Sequence, residues 1–524
     1  MLTEPQSSAN VAPASPATPR SFLRRYVWWI VAIALIALSA GIVRWSGGRP
    51  GYDPYGWMIW GYQTLHGSLN LGGAPSWKPM PLLFTVPYAL FGHFQLWLWM
   101  TTVVVMSLAG CIFAGRIAFR VVDEHGTRRW AAIAAAVFAG AMLLVIYDST
   151  HYSYIHYILS SQSDPPLVSC VLAAIDMHLI GRRRWAVAAL TLASLGRPEA
   201  WPALFLYSLW CLRQDRDMFW FLFGCLMIIL VMWFGIPEIT NHKPLLAGDL
   251  AANSPRELHS NKIIGTLSRF KFLNQWPVWL CAGIGTAWAA FRLRRRDPDP
   301  DGRNTLILVL FANVVLWVLV EIAFSLKGLP GVPRYMFEPA AVSIVIAAIG
   351  FGWLLNEIPR FFKIPWVAGL IVAAGVVGFI APGAVARLRA EHKEMSGERA
   401  RTTEISRLAG FVHELGNLKG ISACGKPVLN VEYVSVFGWL VHLNTGNIGY
   451  RANVELHKAY PTVLITPLPN GWSAYEWHPK AATAATCDAK MRVLYIFTGR
   501  HPGGEIVPNT VPPTVPPLPK KHKK

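Results

Sequence analysis

The stretch "YVWWIVAIALIALSAGIV", residues 26–43, contains no charged side chain. A helix of about 20 apolar residues crosses the hydrocarbon core of a bilayer, so this stretch predicts a membrane span. Arg20, Arg24 and Arg25 precede it, and because such charges favour the cytoplasmic side, we expect a cytoplasmic N-terminus. Small residues end the run, so a cleaved signal peptide is the alternative, which the long N-terminal region makes less favourable.

Similar apolar runs recur along the chain. Of its 524 residues, 53% are hydrophobic and 15% are charged, which is typical of a membrane protein. We predict a polytopic α-helical membrane protein with about eleven spans. They lie roughly at 26–46, 94–118, 130–147, 165–180, 185–196, 200–212, 217–236, 276–291, 304–324, 338–356 and 364–384. The fifth and sixth are short, so this pair is either re-entrant or buried inside the bundle.

Positive charge supports this topology. Basic clusters fall on the predicted cytoplasmic side at 182–184, 213–216, 292–297 and 359–363, whereas the outer loop 148–163 contains no Lys or Arg. This pattern predicts a multi-pass protein of the cytoplasmic membrane whose C-terminal segment is extracytoplasmic. The net charge of +19 is then explained by loops that face anionic membrane lipids, and no nucleic-acid partner is expected.

Four parts are predicted. Residues 1–19 form a disordered cytoplasmic leader, 20–386 the transmembrane domain, 387–505 a small extracytoplasmic α/β domain, and 506–524 a disordered tail rich in Pro and Lys. In the outer domain we expect a helix over 387–415 from its apolar spacing. Short strands are expected at 426–437, 461–468 and 491–499, which are rich in Val, Ile, Leu and Tyr.

The cysteines divide into two groups. Those in or beside apolar spans are interpreted as small buried hydrophobes: Cys111, Cys170, Cys211, Cys225 and Cys281. Cys424 and Cys487 lie in the segment expected to be outside, where the environment is oxidising. A disulfide between these two is one interpretation, and two separate thiols are the other.

Asp53 lies in "GYDPYGWMIWGY", residues 51–62, directly after the first span. A carboxylate at the membrane surface is a candidate general base; the alternative is a loop residue without a chemical role. The aromatic residues Trp57, Trp60 and Tyr62 predict a helix over 54–66 that lies on the membrane, where such rings serve as interfacial anchors.

Lys78 lies in "WKPMP", residues 77–81. Its two prolines restrict the local backbone, and an ammonium presented near the headgroup plane suits a phosphate. Contact with a lipid headgroup without catalysis is the alternative.

Three further charged sites are expected on the outer side. They are Asp164 in "SDPPL", Arg197 and Glu199 in "LGRPEAWP", and Arg334 with Tyr335 in "GVPRYMFEP". Ionisable groups at membrane depth are costly and are usually functional or paired. The alternative for Arg197 and Glu199 is a structural ion pair, and for Arg334 we favour a phosphate ligand over a snorkelling side chain.

Several kinds of chemistry lack support. The chain has no GxxxxGK[ST] phosphate loop, no HExxH and no paired CxxC motif, so ATP-driven and zinc-hydrolase reactions are not indicated. A metal site is suggested by Asp148, His151 and His156, but their spacing fits no strong ligand pattern. The alternative is that they are loop residues that form hydrogen bonds. We predict no metal site and no cofactor, without excluding a divalent ion.

These motifs, in this order, resemble the GT-C fold glycosyltransferases over about residues 20–386. The pattern is close to that of family-39-like protein O-mannosyltransferases and lipid A aminoarabinose transferases. Asp53 in "YDPYGW" occupies the place of that family's first-loop acid, and "WKPMPLL" is similar to its Lys/His-Pro-Pro-Leu segment, with Met80 between the prolines. Asp164 resembles the second acid, and "LGRPEAW" and "PRYMFEP" are similar to the Arg-Pro-Glu and late Arg-Tyr motifs. The chain departs from the family in having Asp-Pro instead of two adjacent acids.

The resemblance implies a sugar on a polyprenyl phosphate as the donor, and an envelope glycan, lipid or protein as the acceptor. Asp53 would be the general base of an inverting displacement. The leaving phosphate needs fixed cations, with Lys78 and Arg334 as first choices and Arg197 third. Tyr335 would donate a hydrogen bond, and Asp164 would bind hydroxyl groups or orient a cation. Glu199 is assigned to substrate binding together with Arg197.

Two alternatives from other classes stay open. A transporter or flippase of a lipid-linked sugar would also need an anion-binding cavity, although we find no convincing inverted repeat. A non-catalytic envelope-assembly protein would tolerate substitution of Asp53, Lys78 and Arg334 together.

Overall fold

A computed structural model describes residues 19–73, 77–123, 129–148, 152–252, 258, 261–296, 299, 302–362, 365–455, 460–477 and 491–493. The predicted leader, except Pro19, and the predicted tail lie outside these described residues.

The described part of the chain is mostly helical. Its helices are α1 (Pro19–Ser46), α2 (Tyr52–Leu65), α3 (Pro79–Ala89), α4 (Phe94–Val122), α5 (Arg129–Leu143), α6 (Tyr154–Leu159), α7 (Asp164–Leu179), α8 (Arg183–Gly196), α9 (Trp201–Gln214), α10 (Phe219–Leu230), α11 (Ile236–Asn241), α12 (Leu246–Ala251), α13 (Lys262–Leu273), α14 (Trp276–Arg294), α15 (Arg303–Leu326), α16 (Phe337–Glu357), α17 (Pro365–Glu414), α18 (Asn417–Cys424), α19 (Val431–Val441) and α20 (Ala452–Glu455). A π-helical turn, Val231–Gly235, joins α10 to α11. Short 3-10 turns occur at Pro198–Ala200, Arg216–Met218, Pro333–Met336, Ile358–Phe361 and Thr445–Asn447.

Helices that are long and apolar enough to cross a membrane make this a multi-pass membrane protein. Six such segments occur among the described residues: Tyr26–Ser46, Phe94–Val122, Arg216–Asn241, Arg303–Leu326, Pro333–Glu357 and Val367–Glu414. The other predicted spans fall on α5, α7, α8, α9 and α14, which do not meet the same criteria of length and hydropathy. The number of eleven spans therefore stays a prediction.

Helix α16 forms the centre of the bundle. It packs against α4, α5, α14 and α15. In its apolar 18-residue stretch, 94% of the residues are buried inside the protein. Gly350 permits the close approach of α14, because a Cβ there would collide with the Cys281 carbonyl. This rigid helix holds the Arg334–Tyr335 turn at its N-terminal end.

Helix α2 confirms the expected helix but corrects the environment of its aromatic residues. Trp57 and Trp60 are only 1% and 2% exposed. Trp57 packs edge-on against Trp99 of α4, with ring centroids 6.0 Å apart, and Trp60 contacts Trp77 at 5.4 Å. The prediction that these two rings anchor α2 at the membrane surface is therefore wrong, because both rings are buried inside the protein against Trp99 and Trp77.

Helix α17 runs without interruption from Pro365 to Glu414. The helix expected over 387–415 is present, but it continues the last span, so the proposed boundary between 386 and 387 falls inside a helix. The domain limits themselves stay predictions.

The segment predicted to form the outer domain contains a small sheet. Its strands are β1 (Lys426–Val428), β2 (Thr462–Leu468), β3 (Gly471–Trp477) and β4 (Arg492–Val493), in the order β1-β2-β3-β4. Strands β2 and β3 are antiparallel, whereas β1 and β4 pair in parallel with their neighbours. The strand expected over 461–468 is confirmed, and most of the one expected over 491–499 lies outside the described residues.

The strand predicted over 426–437 is wrong beyond Val428, because residues 431–441 form α19. Val434 and Phe437 recur at helical spacing and are buried, and α19 packs against α2. Burial of this face against a distant helix outweighs the β propensity of Val and Tyr.

The cysteines in or beside the spans are free thiols, four of them buried, as expected. Cys424 takes part in a disulfide. Its predicted partner, Cys487, lies outside the described residues.

Candidate active site

The charged residues singled out in the sequence lie beside prolines that begin helices at one end of the bundle. The pairs are Asp53–Pro54, Lys78–Pro79, Asp164–Pro165, Arg197–Pro198 and Pro333–Arg334. Proline suits the first turn of a helix, where its missing N–H costs no hydrogen bond, and it disfavours the helical conformation in the preceding residue, although Asp53 and Asp164 are themselves helical. Lys78 and Arg197 accordingly have φ/ψ angles of −141°/113° and −150°/133°.

Arg334 connects the two carboxylates of the site. Its Nη2 donates to Asp53 Oδ2 at 3.2 Å, and its Nη1 donates to Gln162 Oε1 at 3.3 Å. Asp164 Oδ2 lies 4.0 Å from the same Nη1. The Asp53 side chain is 19% exposed and the Arg334 side chain 13%, so this ion pair is accessible from outside.

Lys78 supplies a second cation close by. Its Nζ donates to Ser163 Oγ at 3.1 Å and lies 5.5 Å from the centroid of the Trp57 ring. Burial lowers its pKa to about 8, although the nearby Asp164 carboxylate opposes that shift. Lys78 is therefore mostly protonated at neutral pH.

Arg197 is enclosed by protein groups. Its side chain is 3% exposed. Its Nε donates to Asp164 Oδ1 at 3.1 Å, its Nη2 contacts the same oxygen, and its Nη1 lies 3.5 Å from Glu199 Oε1. The guanidinium also stacks on the Tyr335 ring at 3.9 Å. This geometry fits the structural ion pair that was the alternative to a substrate-binding role.

Two buried acids beside Arg197 were not singled out in the sequence. Glu338 Oε1 lies 3.9 Å from Arg197 Nε, and Glu338 and Glu321 are 1% and 2% exposed. Among the described residues, both Glu338 carboxylate oxygens and Glu321 Oε1 lack a hydrogen-bond partner. A lone acid in the apolar stretch "WVLVEIAF", 317–324, was the available signal, since intramembrane acids are rarely incidental.

The residues considered for a metal site are held by other contacts. Asp148 Oδ2 accepts a hydrogen bond from the Tyr157 hydroxyl at 2.5 Å, and His156 Nδ1 lies 3.8 Å from Glu394 Oε2. His151 lies outside the described residues. Within the described ranges, no group of three His, Cys, Asp or Glu side chains suits a metal ion.

An apolar groove opens between α9 and α10. Its volume is about 370 Å³, and Ser208 is the one hydroxyl-bearing residue among the described residues that line it. At one end Trp201 packs edge-on against Phe234, with centroids 6.0 Å apart. Trp201 is two residues from Glu199, so the groove begins next to the Arg197 cluster.

Comparisons with known proteins find similarity to solved structures. No protein-family model and no curated protein matches the sequence. The crystal structure of ArnT from Cupriavidus metallidurans bound to undecaprenyl phosphate is similar, with a TM-score of 0.44 and 14% identity. The alignment covers 84% of this chain and 93% of that chain. For the same protein in the apo state the TM-score is 0.43, the identity 15% and the coverage the same. ArnT is a lipid A aminoarabinose transferase with a GT-C fold.

Proposed function

We propose that this protein is an inverting glycosyltransferase of the cytoplasmic membrane. It moves a sugar from a polyprenyl-phosphate donor to an envelope glycan, lipid or protein on the outer face. The observation that carries the proposal is the accessible Asp53–Arg334 pair, with the Lys78 ammonium in the same cluster of charges. A base and two cations meet at one end of a membrane bundle, which suits a hydroxyl nucleophile and a lipid phosphate as leaving group.

The proposed reaction is a single displacement. The acceptor oxygen bonds to the anomeric carbon, the bond from that carbon to the phosphate oxygen breaks, and Asp53 takes the hydroxyl proton. Arg334 and Lys78 stabilise the charge that develops on the lipid phosphate. A phosphate bound by Arg334 replaces Asp53 as its partner, which frees the carboxylate to act as base.

The other predicted residues act around this centre. Asp164 orients the two guanidinium groups, since it accepts a hydrogen bond from Arg197 and lies 4.0 Å from Arg334 Nη1. Arg197, held in turn by Glu199, is assigned to fixing Asp164 and Tyr335 in place, because its donors face protein groups.

The test is transfer of labelled sugar from polyprenyl-phosphate donors by the purified full-length chain. We expect transfer without added nucleotide, and a product with inverted anomeric configuration by NMR. Binding of lipid-linked sugar without transfer to any acceptor would overturn the proposal in favour of a transporter. Absence of both binding and transfer would favour a non-catalytic role.

Lys78 predicts a pH dependence of donor binding. Its pKa of about 8 means that the ammonium is present below pH 8 and lost as the pH rises above it. We expect the donor KM to rise by about tenfold per pH unit above 8. Lys78→Gln should show a high donor KM at every pH, with no inflection near 8. An inflection retained in this variant would show that another group controls it.

The apolar groove predicts selectivity for the donor lipid. An isoprenoid chain suits its apolar lining, and the lining residue Trp201 follows Glu199 by two positions, which supports a donor chain bound here. Ser208→Trp narrows the groove and should raise the KM for a long-chain donor by about tenfold, with a smaller effect for a donor carrying a short prenyl chain. Equal effects on both donors would contradict this placement of the chain. Ser208→Ala, which leaves the groove open, is the matched control.

A further inference from the structure

The Asp53 loop, residues 46–53, leads from the end of α1 into α2. On one side, the Gly51 amide donates to the Ser160 carbonyl at 2.8 Å. On the other side, the loop contacts the outer part of α17, whose residues are more than 340 positions away in sequence. The backbone that carries Asp53 is thus held between two distant segments.

Two arginines of α17 make the second contact. Arg399 Nε donates to the Ser46 carbonyl at 2.8 Å, and its Nη2 donates to the Trp45 carbonyl at 3.2 Å. Arg401 Nη2 donates to the Pro50 carbonyl at 3.0 Å. Pro50 is three residues before Asp53, so Arg401 makes the closer of the two contacts to the proposed base. Hydrogen bonds from a charged donor are stronger than neutral ones and fix direction as well as distance.

Arg401 is itself oriented by its own helix. Its Nη1 donates to Glu398 Oε2 at 3.1 Å, one turn earlier in α17. This leaves Nη2 directed at Pro50. Among the described residues, its side chain donates to Glu398 and Pro50, and Lys78 and Arg334 are not hydrogen-bond partners.

The same part of α17 is bonded to the outer domain. Glu404 accepts a hydrogen bond from the Tyr433 hydroxyl of α19, and its carbonyl accepts one from Trp472 Nε1 of β3 at 3.1 Å. Glu404 lies one turn beyond Arg401. The outer domain and the Asp53 loop are therefore attached to adjacent turns of one helix.

We infer that Arg401 is a positioning residue that sets the place of Asp53 and couples it to the outer domain. This inference rests on the proposed function only for its catalytic part. Displacement of a reacting group by about 1 Å costs up to about a hundredfold in rate. Loss of one of several contacts to the loop is expected to reduce kcat by about tenfold. The donor KM stays unchanged, because Arg401 does not contact the proposed phosphate ligands.

The experiment compares Arg401→Gln, Arg401→Lys and Arg407→Gln in the full-length protein. Arg407 is exposed on the same helix and is the matched control. Hydrogen exchange of the peptide covering 46–56 is measured with kcat and donor KM. We expect faster exchange and a lower kcat at constant KM in Arg401→Gln, partial recovery in Arg401→Lys, and wild-type behaviour in Arg407→Gln.

We call the attachment of the Asp53 loop to α17 by Arg401 the clamp. Hydrogen exchange in residues 46–56 that is equally fast in Arg401→Gln and in the wild type would overturn the clamp, whatever the activity. Faster exchange with an unchanged kcat would overturn the positioning role. If the wild type transfers no sugar while the loop loosens in Arg401→Gln, the clamp is supported and the proposed glycosyltransferase function fails. If Arg401→Gln does not fold, Arg401→Lys decides by the same two measurements.

Discussion

Asp53→Asn is expected to lower sugar transfer by about a hundredfold or more, the scale of a lost general base. The amide keeps the shape of the side chain but cannot take a proton from the acceptor hydroxyl at neutral pH. Its oxygen can still accept the hydrogen bond from Arg334, whose Nη2 lies 3.2 Å from Asp53 Oδ2 in the wild type. We therefore expect kcat to fall while donor binding changes little.

The measurement is transfer from a polyprenyl-phosphate sugar, with donor binding measured separately on the same preparations. Asp217→Asn is the matched control, because Asp217 is an exposed carboxylate remote from the site in sequence. Equal transfer by wild type and Asp53→Asn would show that Asp53 is a loop residue and that another group is the base. A loss of binding equal to the loss of transfer would assign Asp53 to substrate binding.

Arg197→Met is expected to destabilise the fold by about 3–5 kcal/mol, the cost of leaving buried charges unpaired. Arg197 is the common partner of Asp164, Glu199 and Glu338, all nearly inaccessible to solvent. Methionine fills much of the volume but supplies no charge and no hydrogen-bond donor. The variant should give a low yield and a strongly lowered unfolding midpoint in detergent.

The control is Arg184→Met, which removes an exposed arginine and should leave unfolding unchanged. Adding Asp164→Asn to Arg197→Met removes one of the unpaired charges, so the double variant should recover part of the lost stability. A single variant as stable as the wild type would contradict the role of Arg197 as the centre of this ion-pair cluster. It would also return Arg197 to the candidates for direct phosphate binding.

Charged residues at the predicted outer ends of spans were the feature of the sequence that led to the site. Lys78, Asp164 and Arg197 each precede a proline, and this local chemistry predicts the start of a helix with a side chain at its end. Local patterns therefore indicated which residues lie at one end of the bundle. They did not indicate their pairing, because the bond between Asp53 and Arg334 joins residues 281 positions apart.

The errors had long-range causes. Trp57 and Trp60 are residues typical of an interfacial helix, but their burial depends on Trp99 of α4 and on Trp77, which lie further along the chain. Residues 431–437 have the composition of a strand but pack as a helix against α2. Glu338 lies in "GVPRYMFEP", residues 331–339, yet its proximity to Arg197 depends on how α16 packs against the rest of the bundle.

Helix α17 has a mechanical consequence. At 1.5 Å per residue its 50 residues extend about 75 Å, more than twice the roughly 30 Å of a hydrocarbon core. The helix thus begins in an apolar candidate span and carries Arg399 and Arg401 beyond it, with Pro382 inside the helix between the two parts. Movement of the helix beyond Pro382 therefore reaches the Asp53 loop through the hydrogen bonds of Arg399 and Arg401. The lipid bilayer therefore restricts the movement of two components of the proposed reaction. It confines the lipid-linked donor, and it holds α17, which contacts the loop that carries the proposed base Asp53.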